Sequence, residues 1–280
     1  MEVHSVEAAD GVPPMEFTGE RMVPEACDGN TLWEHLYRYQ FATRYVRGRS
    51  ILDIACGEGY GTRSLVEAGA ASVVGVDISA EACRHAKERY GVDARVGDGV
   101  SIPLPTGSLD VVVSFETIEH IAEPERFVRE CARVLKPDGT FLISTPNVLA
   151  YNPERLSDNN PYHCSEMTEG EFLTLLGRCF AGTELYRQVP VTAPFLTWSQ
   201  ILVRRSRLRY VRGYHRLISS RFPGADPARE AAARADPVAA IGDRDGALRR
   251  LFNPYAVRPH ARASLVVPLY FIAVARGPKA

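Results

Sequence analysis

The 280 residues carry 33 Lys plus Arg against 34 Asp plus Glu, a formal net charge of -1, and 45% of them are apolar. That length and composition allow one large or two small domains with a sizeable core, and the balanced charge gives no global electrostatic case for binding nucleic acid. The six cysteines lie far apart with no CxxC pair, the longest apolar run (Ala263 to Ala275) is broken by Pro268, and no early basic-plus-apolar segment stands out; a disulfide framework, a zinc cluster, a membrane span and a signal peptide are therefore not expected, and a cytoplasmic globular protein is.

In chain order, residues 1–16 are polar and aperiodic and read as a tail. Asn30 to Val46 is compatible with a helix, capped by Asn30 or Thr31, with Trp33, Leu36, Tyr37 and Phe41 along one side. Strands and helices then alternate: strand Ile51–Ala55, helix Gly61–Ala68, strand Ser72–Asp77, helix Ala80–Tyr90 and strand Ala94–Val96. Strand Leu109–Phe115, helix Glu123–Val134, a Lys136-Pro137-Asp138-Gly139 turn and strand Thr140–Thr145 follow. This order predicts an α/β fold with a doubly wound, mostly parallel sheet covered on both faces. Beyond Pro146, Glu171–Cys179 reads as a helix, Glu184–Val189 as a strand and Ala263–Ala275 as a last buried strand. Between those two strands an insertion interrupts the pattern, and Gly224 to Gly246 reads as a loop.

The chemistry concentrates in LDIACGEGYG, residues 52–61, where a strand runs into Gly57, Gly59 and Gly61 and then into a helix. Such a turn brings a ligand close to backbone. A P-loop is excluded because no lysine lies between Gly57 and Gly69, and a dinucleotide fingerprint fails at Thr62, where a small residue is required.

The stretch resembles the first motif of the class I S-adenosylmethionine-dependent methyltransferases, and further motifs follow in order: VVGVDIS at 73–79, VGDG at 96–99, SFETIEHI from Ser114 and VLKPDGTFLISTPN from Val134. The resemblance implies a Rossmann-like fold and S-adenosyl-L-methionine as cofactor. Asp53, Ala55, Gly57 and Gly59 would form its loop, Asp77 would accept both ribose hydroxyls beside Ile78, and Gly97, Asp98 and Gly99 would meet the adenine. Phe115 and Glu116 would complete that side. FTGERMVPE, residues 17–25, resembles the opening of methyltransferases of bacterial glycan and natural-product pathways, which makes Arg21, Glu34, His35 and Tyr39 candidates to close the site. The implied units are a tail (1–16), an N-terminal helical cap (17–48), the cofactor-binding core (49–194), a largely helical insertion on the substrate side (195–258) and a last core strand (259–280).

A hydroxyl acceptor must lose a proton near the transition state, and histidine suits that task. His120 follows the fourth strand and His163 the fifth, in NNPYHCSE, a phrase that resembles one in sugar and quinone methyltransferases; Tyr162, His163 and Glu166 are thus substrate candidates, and His120 or His163 the base. His163 with Glu166 would be half of a metal site, but no further ligand presents itself in the sequence, so no metal is expected. The segments Asn160-Pro161-Tyr162 and Asn253-Pro254-Tyr255 do not follow the fourth strand, where base-methylating enzymes place a similar motif, so the nucleic-acid reading gains nothing from them. Arg204, Arg205, Arg207, Arg209, Arg212, Arg216 and Arg221 form a basic stretch without acids. They do not gather on one side of a helix, which disfavours a membrane-surface role. Contacts to a phosphate-bearing acceptor such as a nucleotide sugar, and a lid or homodimer contact paired with acids, both fit them. The expectation is an O-methyltransferase acting on a small molecule, most readily a sugar hydroxyl. An N- or C-methyltransferase on a natural-product scaffold and a non-catalytic S-adenosylmethionine-binding protein stay open.

Overall fold

The computed structural model describes residues 12–16, 21–27, 29–151, 161–188, 227–242 and 270–279. The arginine-rich stretch 204–221, the Asn253-Pro254-Tyr255 segment, the first half of the expected last strand and residues 17–20 lie outside them.

Helix α1 (Gly29–Ala42) precedes strand β1 (Ser50–Ile54), helix α2 (Tyr60–Glu67), strand β2 (Ser72–Asp77), helix α3 (Ala80–Tyr90) and strand β3 (Asp93–Val96). Strand β4 (Leu109–Ser114), a 3₁₀ turn (Ile118–His120), helix α4 (Pro124–Val134) and strand β5 (Leu135–Pro146) follow. After these come α5 (Val148–Tyr151), α6 (Glu169–Cys179), β6 (Phe180–Gln188), α7 (Pro227–Ala235), α8 (Pro237–Gly242) and β7 (Tyr270–Pro278). The seven strands form one sheet in the order β3-β2-β1-β4-β5-β7-β6. Strands β1 to β5 pair in parallel, and β7 runs antiparallel to both β5 and β6. The strand order reverses between β1 and β4, which opens a crevice at their carboxyl ends.

Both faces of the sheet are buried. Ile51, Val73, Val111, Val113, Leu142 and Val274 point into one core with α1 and α2. Their neighbours Leu52, Val76, Val112, Phe141, Ile143 and Ala275 point into the other with α4 and α6. Alternate residues of each apolar strand thus serve opposite cores, as a two-sided parallel sheet demands. Helix α1 is itself buried nearly all round: Leu36, Tyr37, Arg38 and Phe41 are each at most 1% exposed.

Two expectations are corrected. The Lys136 to Gly139 segment is not a turn preceding the strand; it bulges within β5, since Leu135 pairs with Leu109 and Thr140 resumes pairing with Val111. Residues 227–242 are two helices, not a loop: Ala233, Val238 and Ile241 are buried in the core that α1 and α2 share. Gln40 Nε2 donates to the Ile241 carbonyl at 3.2 Å, and Arg234 Nη1 donates to the carbonyls of Pro24 and Cys27, each at 2.7 Å. All six cysteines are free thiols. Among the described residues no helix is long and apolar enough to cross a membrane.

Candidate active site

The glycine spacing after β1 answers to packing on both sides of the loop. Gly59, at φ +94°, begins α2, and a Cβ there would stand 2.5 Å from Ala86 Cβ of α3. A Cβ on Gly61 would stand 2.0 Å from Cζ of Tyr39, so only glycine lets α2 lie against α1. That ring cannot yield, because it packs edge-on to Tyr60 and Phe115 and its hydroxyl donates to Asp53 at 3.1 Å. Asp53 is only 1% exposed and also accepts from Thr62 Oγ1 at 2.6 Å. Thr62, which spoils the dinucleotide pattern, is therefore the residue that ties α2 to the end of β1. Burial pushes the Asp53 carboxyl up to about 7, against the pull of the Thr62 and Tyr39 hydrogen bonds.

Above this support opens a cavity of about 720 Å³, within the ~300–1,000 Å³ range of small-molecule sites. At the end of β2, Asp77 Oδ2 accepts from the Gly57 amide and Oδ1 from the Ser79 amide, both at 2.9 Å. Ile78, next to it, is 74% exposed and lines the cavity, as do Gly97, Asp98 and Gly99. Asp98 holds its own turn by accepting from the Val100 amide at 3.0 Å. Arg21, His35, Tyr39, Ala55, Gly57, Phe115 and Glu116 complete the expected lining. Ala55 (φ +59°) and Glu116 (φ +53°) both adopt the left-handed conformation, at the ends of β1 and β4 where the crevice opens. Strained backbone of this kind concentrates at functional sites.

Four sequence candidates are not on the cavity wall. Asp53 and Gly59 lie behind it, as the supports just described. Glu34 is 7% exposed, away from the cavity, and its carbonyl accepts from Gln188 Nε2 at 3.0 Å. Tyr162 is 41% exposed and does not line the cavity; its contribution is a backbone carbonyl.

The opposite wall is built from two segments 43 residues apart in sequence. The Cys164 and Ser165 amides both donate to the Glu119 carbonyl, at 2.8 and 2.9 Å, and so pin the segment after α5 to the 3₁₀ turn after β4. His120 Nδ1 lies 3.1 Å from the Tyr162 carbonyl, and His163 Nδ1 lies 3.0 Å from Glu166 Oε1. The two imidazoles meet edge to face with centroids 4.9 Å apart, and both line the cavity. Glu166 is thus within hydrogen-bond reach of His163.

Sequence reasoning missed two charged residues here. Glu119 is 1% exposed and lines the cavity beside the histidines. Burial above all, with the nearby charge of Glu116, holds its carboxyl well above the usual carboxylate range, while Arg38 and the Thr145 hydroxyl act the other way. Arg38 is fully buried: its Nη1 donates to Gln188 Oε1 at 2.7 Å, and its guanidinium lies 4.5 Å from the Tyr270 ring centroid. Glu116 Oε1 accepts from Ser144 Oγ at 2.6 Å and stands 4.0 Å from Arg38 Nε. Burial above all, with the charge of Arg38, lowers His35 well below the usual histidine range. The one available signal for Glu119 was its place next to His120 at a strand end.

Residues 52–143 match the family of the methyltransferase domain. A protein of Mycolicibacterium smegmatis named "Probable S-adenosylmethionine-dependent methyltransferase" is 40% identical over 164 residues, which cover 58% of this chain and 63% of that protein. A ubiquinone biosynthesis O-methyltransferase of Xanthomonas oryzae is 34% identical over 115 residues, 39% of this chain and 48% of that one. The chain spans less than two thirds of the length of these curated relatives. Among solved structures, an S-adenosylmethionine-dependent methyltransferase of Archaeoglobus fulgidus superposes with a TM-score of 0.55 at 15% identity, covering 90% of this chain and 96% of the other. The [4+2]-cyclase SpnF superposes with a TM-score of 0.50 at 19% identity, over 89% and 81% of the two chains. Such identities speak for the fold alone, and the fold is the Rossmann-like one expected. The match to the methyltransferase domain is confined to residues 52–143, and the dependence on S-adenosylmethionine is stated in the name of the Mycolicibacterium smegmatis relative.

Proposed function

We propose, from the methyltransferase domain in residues 52–143, that the chain transfers a methyl group from S-adenosylmethionine to a hydroxyl of a small molecule. The observation that carries this reading is a cavity shared by Asp77 on one wall and the paired histidines on the other. The donor residues fit the cofactor. Each oxygen of Asp77 accepts one backbone amide, and a carboxylate oxygen has a second lone pair to offer a vicinal diol. Exposed Ile78 supplies an apolar surface for a flat base, and no bulky side chain stands over Gly57.

The sulfonium supplies an activated methyl when bound, so this chain's task is to align the acceptor and remove its proton. Phe115 and Tyr39 shield the floor from water. His120 and His163 face the acceptor's side and assist loss of the hydroxyl proton, a contribution of typically 10²–10⁴-fold. The O-methyltransferase among the relatives supports a hydroxyl acceptor. A sugar or nucleotide sugar rests on the motif resemblance and on the arginine-rich segment, whose residues would meet phosphate. Cytoplasmic placement belongs to the same reading.

Radiolabelled methyl transfer to panels of sugars, nucleotide sugars, quinols and amines tests the assignment. Label on an oxygen is expected. His120→Asn and His163→Asn should keep S-adenosylmethionine affinity by calorimetry, while at least one loses most of kcat. Label on nitrogen or carbon would overturn the hydroxyl assignment, and binding without transfer to any acceptor would make the chain a sensor of the cofactor.

A further inference from the structure

We propose that Glu119, His120 and His163 are the protein ligands of a divalent first-row transition-metal ion at the acceptor wall, with its remaining positions open to the cavity. One donor atom from each of the three lies within 4.8 Å of the others. Donor atoms around one such ion stand about 3–3.5 Å apart, given bonds of ~2.0–2.2 Å, so modest side-chain rotations close the set.

The orientation of the two rings argues for the ion independently of their proximity. A ligating histidine characteristically donates its other ring N–H to a carbonyl or carboxylate, which fixes the tautomer and directs the free lone pair at the metal. Both histidines have this arrangement: Nδ1 of His120 meets the Tyr162 carbonyl, and Nδ1 of His163 meets the Glu166 carboxylate. With Nδ1 engaged in each case, Nε2 is the nitrogen that a metal would take. A single general base would need one such ring; two rings set alike, edge to face beside a buried carboxylate, are a ligand set. The backbone reinforces it, since the Glu119 carbonyl clamps the 164–165 amides and holds the two ligand segments in register. Two imidazoles and one carboxylate favour zinc, iron, cobalt or manganese over magnesium and calcium, which prefer all-oxygen sites.

The ion's role rests on the methyltransferase reading above. An acceptor hydroxyl bound in an open position becomes more acidic, as water does on such an ion. Its proton then passes to water, the new O–CH₃ bond forms as the S–CH₃ bond breaks, and the donor leaves as a neutral thioether. With the ion bound, the histidines assist loss of the proton through the ion that they hold, and Glu166 would be a positioning residue.

The test uses the full chain stripped with a chelator and titrated with Co²⁺, followed by calorimetry and visible d–d absorption, with Mg²⁺ as a control arm. One-to-one Co²⁺ binding is expected, with affinity lowered about 100-fold or more in His120→Gln and in His163→Gln. Glu166→Gln, which touches no ion, should lose about tenfold, the lower end of outer-shell effects. S-adenosylmethionine affinity should not change in any of the three. Co²⁺ binding that is absent, or equal in wild type and His120→Gln/His163→Gln, overturns the site. Undiminished methyl transfer by the stripped chain overturns the ion's role in catalysis and leaves the transferase standing. Retained Co²⁺ binding without S-adenosylmethionine binding overturns the transferase and leaves the site.

Discussion

The two walls of the cavity are built by different means. The wall after β1 and β2 is mostly backbone: glycines that admit neighbouring helices, amides that grip Asp77, and a buried Asp53 beneath. Its parts lie within about one βαβ unit of sequence, so local spacing encodes it. The wall with Glu119, His120 and His163 is mostly side chain, and its parts meet only because β4 and β5 are neighbours in the sheet. Damage to the first should therefore strike stability and cofactor binding together, and damage to the second should strike turnover while cofactor affinity survives.

The largest effect should come from Gly61→Ala. Its Cβ would stand 2.0 Å from a Tyr39 ring that is held by two aromatic neighbours and by Asp53. Overpacking at so constrained a site should cost about 3 kcal/mol or more. Gly57→Ala meets nothing within 4 Å and bears mainly the conformational cost of φ +53°, about 1–2 kcal/mol. Denaturant unfolding of the pair checks this; equal losses would mean that α1 does not clamp the loop. Next, Asp77→Ala should weaken S-adenosylmethionine binding by about 1.5–3 kcal/mol, the range for hydrogen bonds to a charged group. Calorimetry showing unchanged affinity would reassign the second motif, and tighter binding of NAD would overturn the cofactor.

The difference between the walls also explains what the sequence disclosed. Ser72–Asp77 and Ala80–Tyr90 were legible to the residue from the order of strands and helices, and the structure caps the helix with Ser79 and ends it at Gly91, both local features. Helices α7 and α8 were not: Ala233, Val238 and Ile241 make a weak periodic pattern and become a core only against α1 and α2, some two hundred residues earlier. Arg38 carries no local signal of burial; it meets Gln188 and Tyr270, from β6 and β7, only in the folded chain. Nothing in the residues next to Glu119 marks it as buried; the fold encloses it. The Lys-Pro-Asp-Gly segment carried a sound turn signal, but pairing of Leu135 with Leu109 extends the strand past it.

A pH series probes the cofactor wall without a ligand. Burial raises Asp53 from 3.8 to about 7, and burial with the Glu25 charge raises Glu58 from 4.5 to about 7. A raised acid keeps its proton in the native state where the unfolded chain has lost it. Its contribution is whole below pH about 4, declines between about 4 and 7, and is gone above. Asp110, Glu130 and Glu184 are lowered by Lys136, Arg133 and Arg276 and act oppositely, but only as pH falls toward 4. His35 and His85, both lowered by burial, oppose this up to pH about 6.5. The Asp53 contribution, a fall of on the order of 2 kcal/mol between pH 5 and 7.5 at about 1.4 kcal/mol per unit at most, is therefore read as the difference between the wild type and Asp53→Asn. In Asp53→Asn the slope should be shallower. An unchanged slope would show Asp53 to be ionised throughout, and the cofactor wall would then carry a buried charge.

The smallest effect concerns the acceptor wall and separates the two most cleanly. Helix α6 begins with a capping box: the Thr168 hydroxyl accepts from the Glu171 amide at 3.3 Å, and the Glu171 carboxylate accepts from the Thr168 amide at 2.8 Å. The cap directly follows Glu166 and Met167, and the Met167 carbonyl accepts from the Val148 amide at 3.1 Å, so it anchors the far end of the segment that carries His163. Thr168→Ala should cost about 1 kcal/mol of stability, the usual value of such a cap. It should leave S-adenosylmethionine affinity at the wild-type value, since the cap belongs to the segment that carries His163. Turnover should fall several-fold at a temperature where the protein is still fully folded, because loosening of the His163 segment misplaces one ring of the pair. A fall in cofactor affinity of the same size would mean that the two walls move as one body, and the separation drawn between them would not hold.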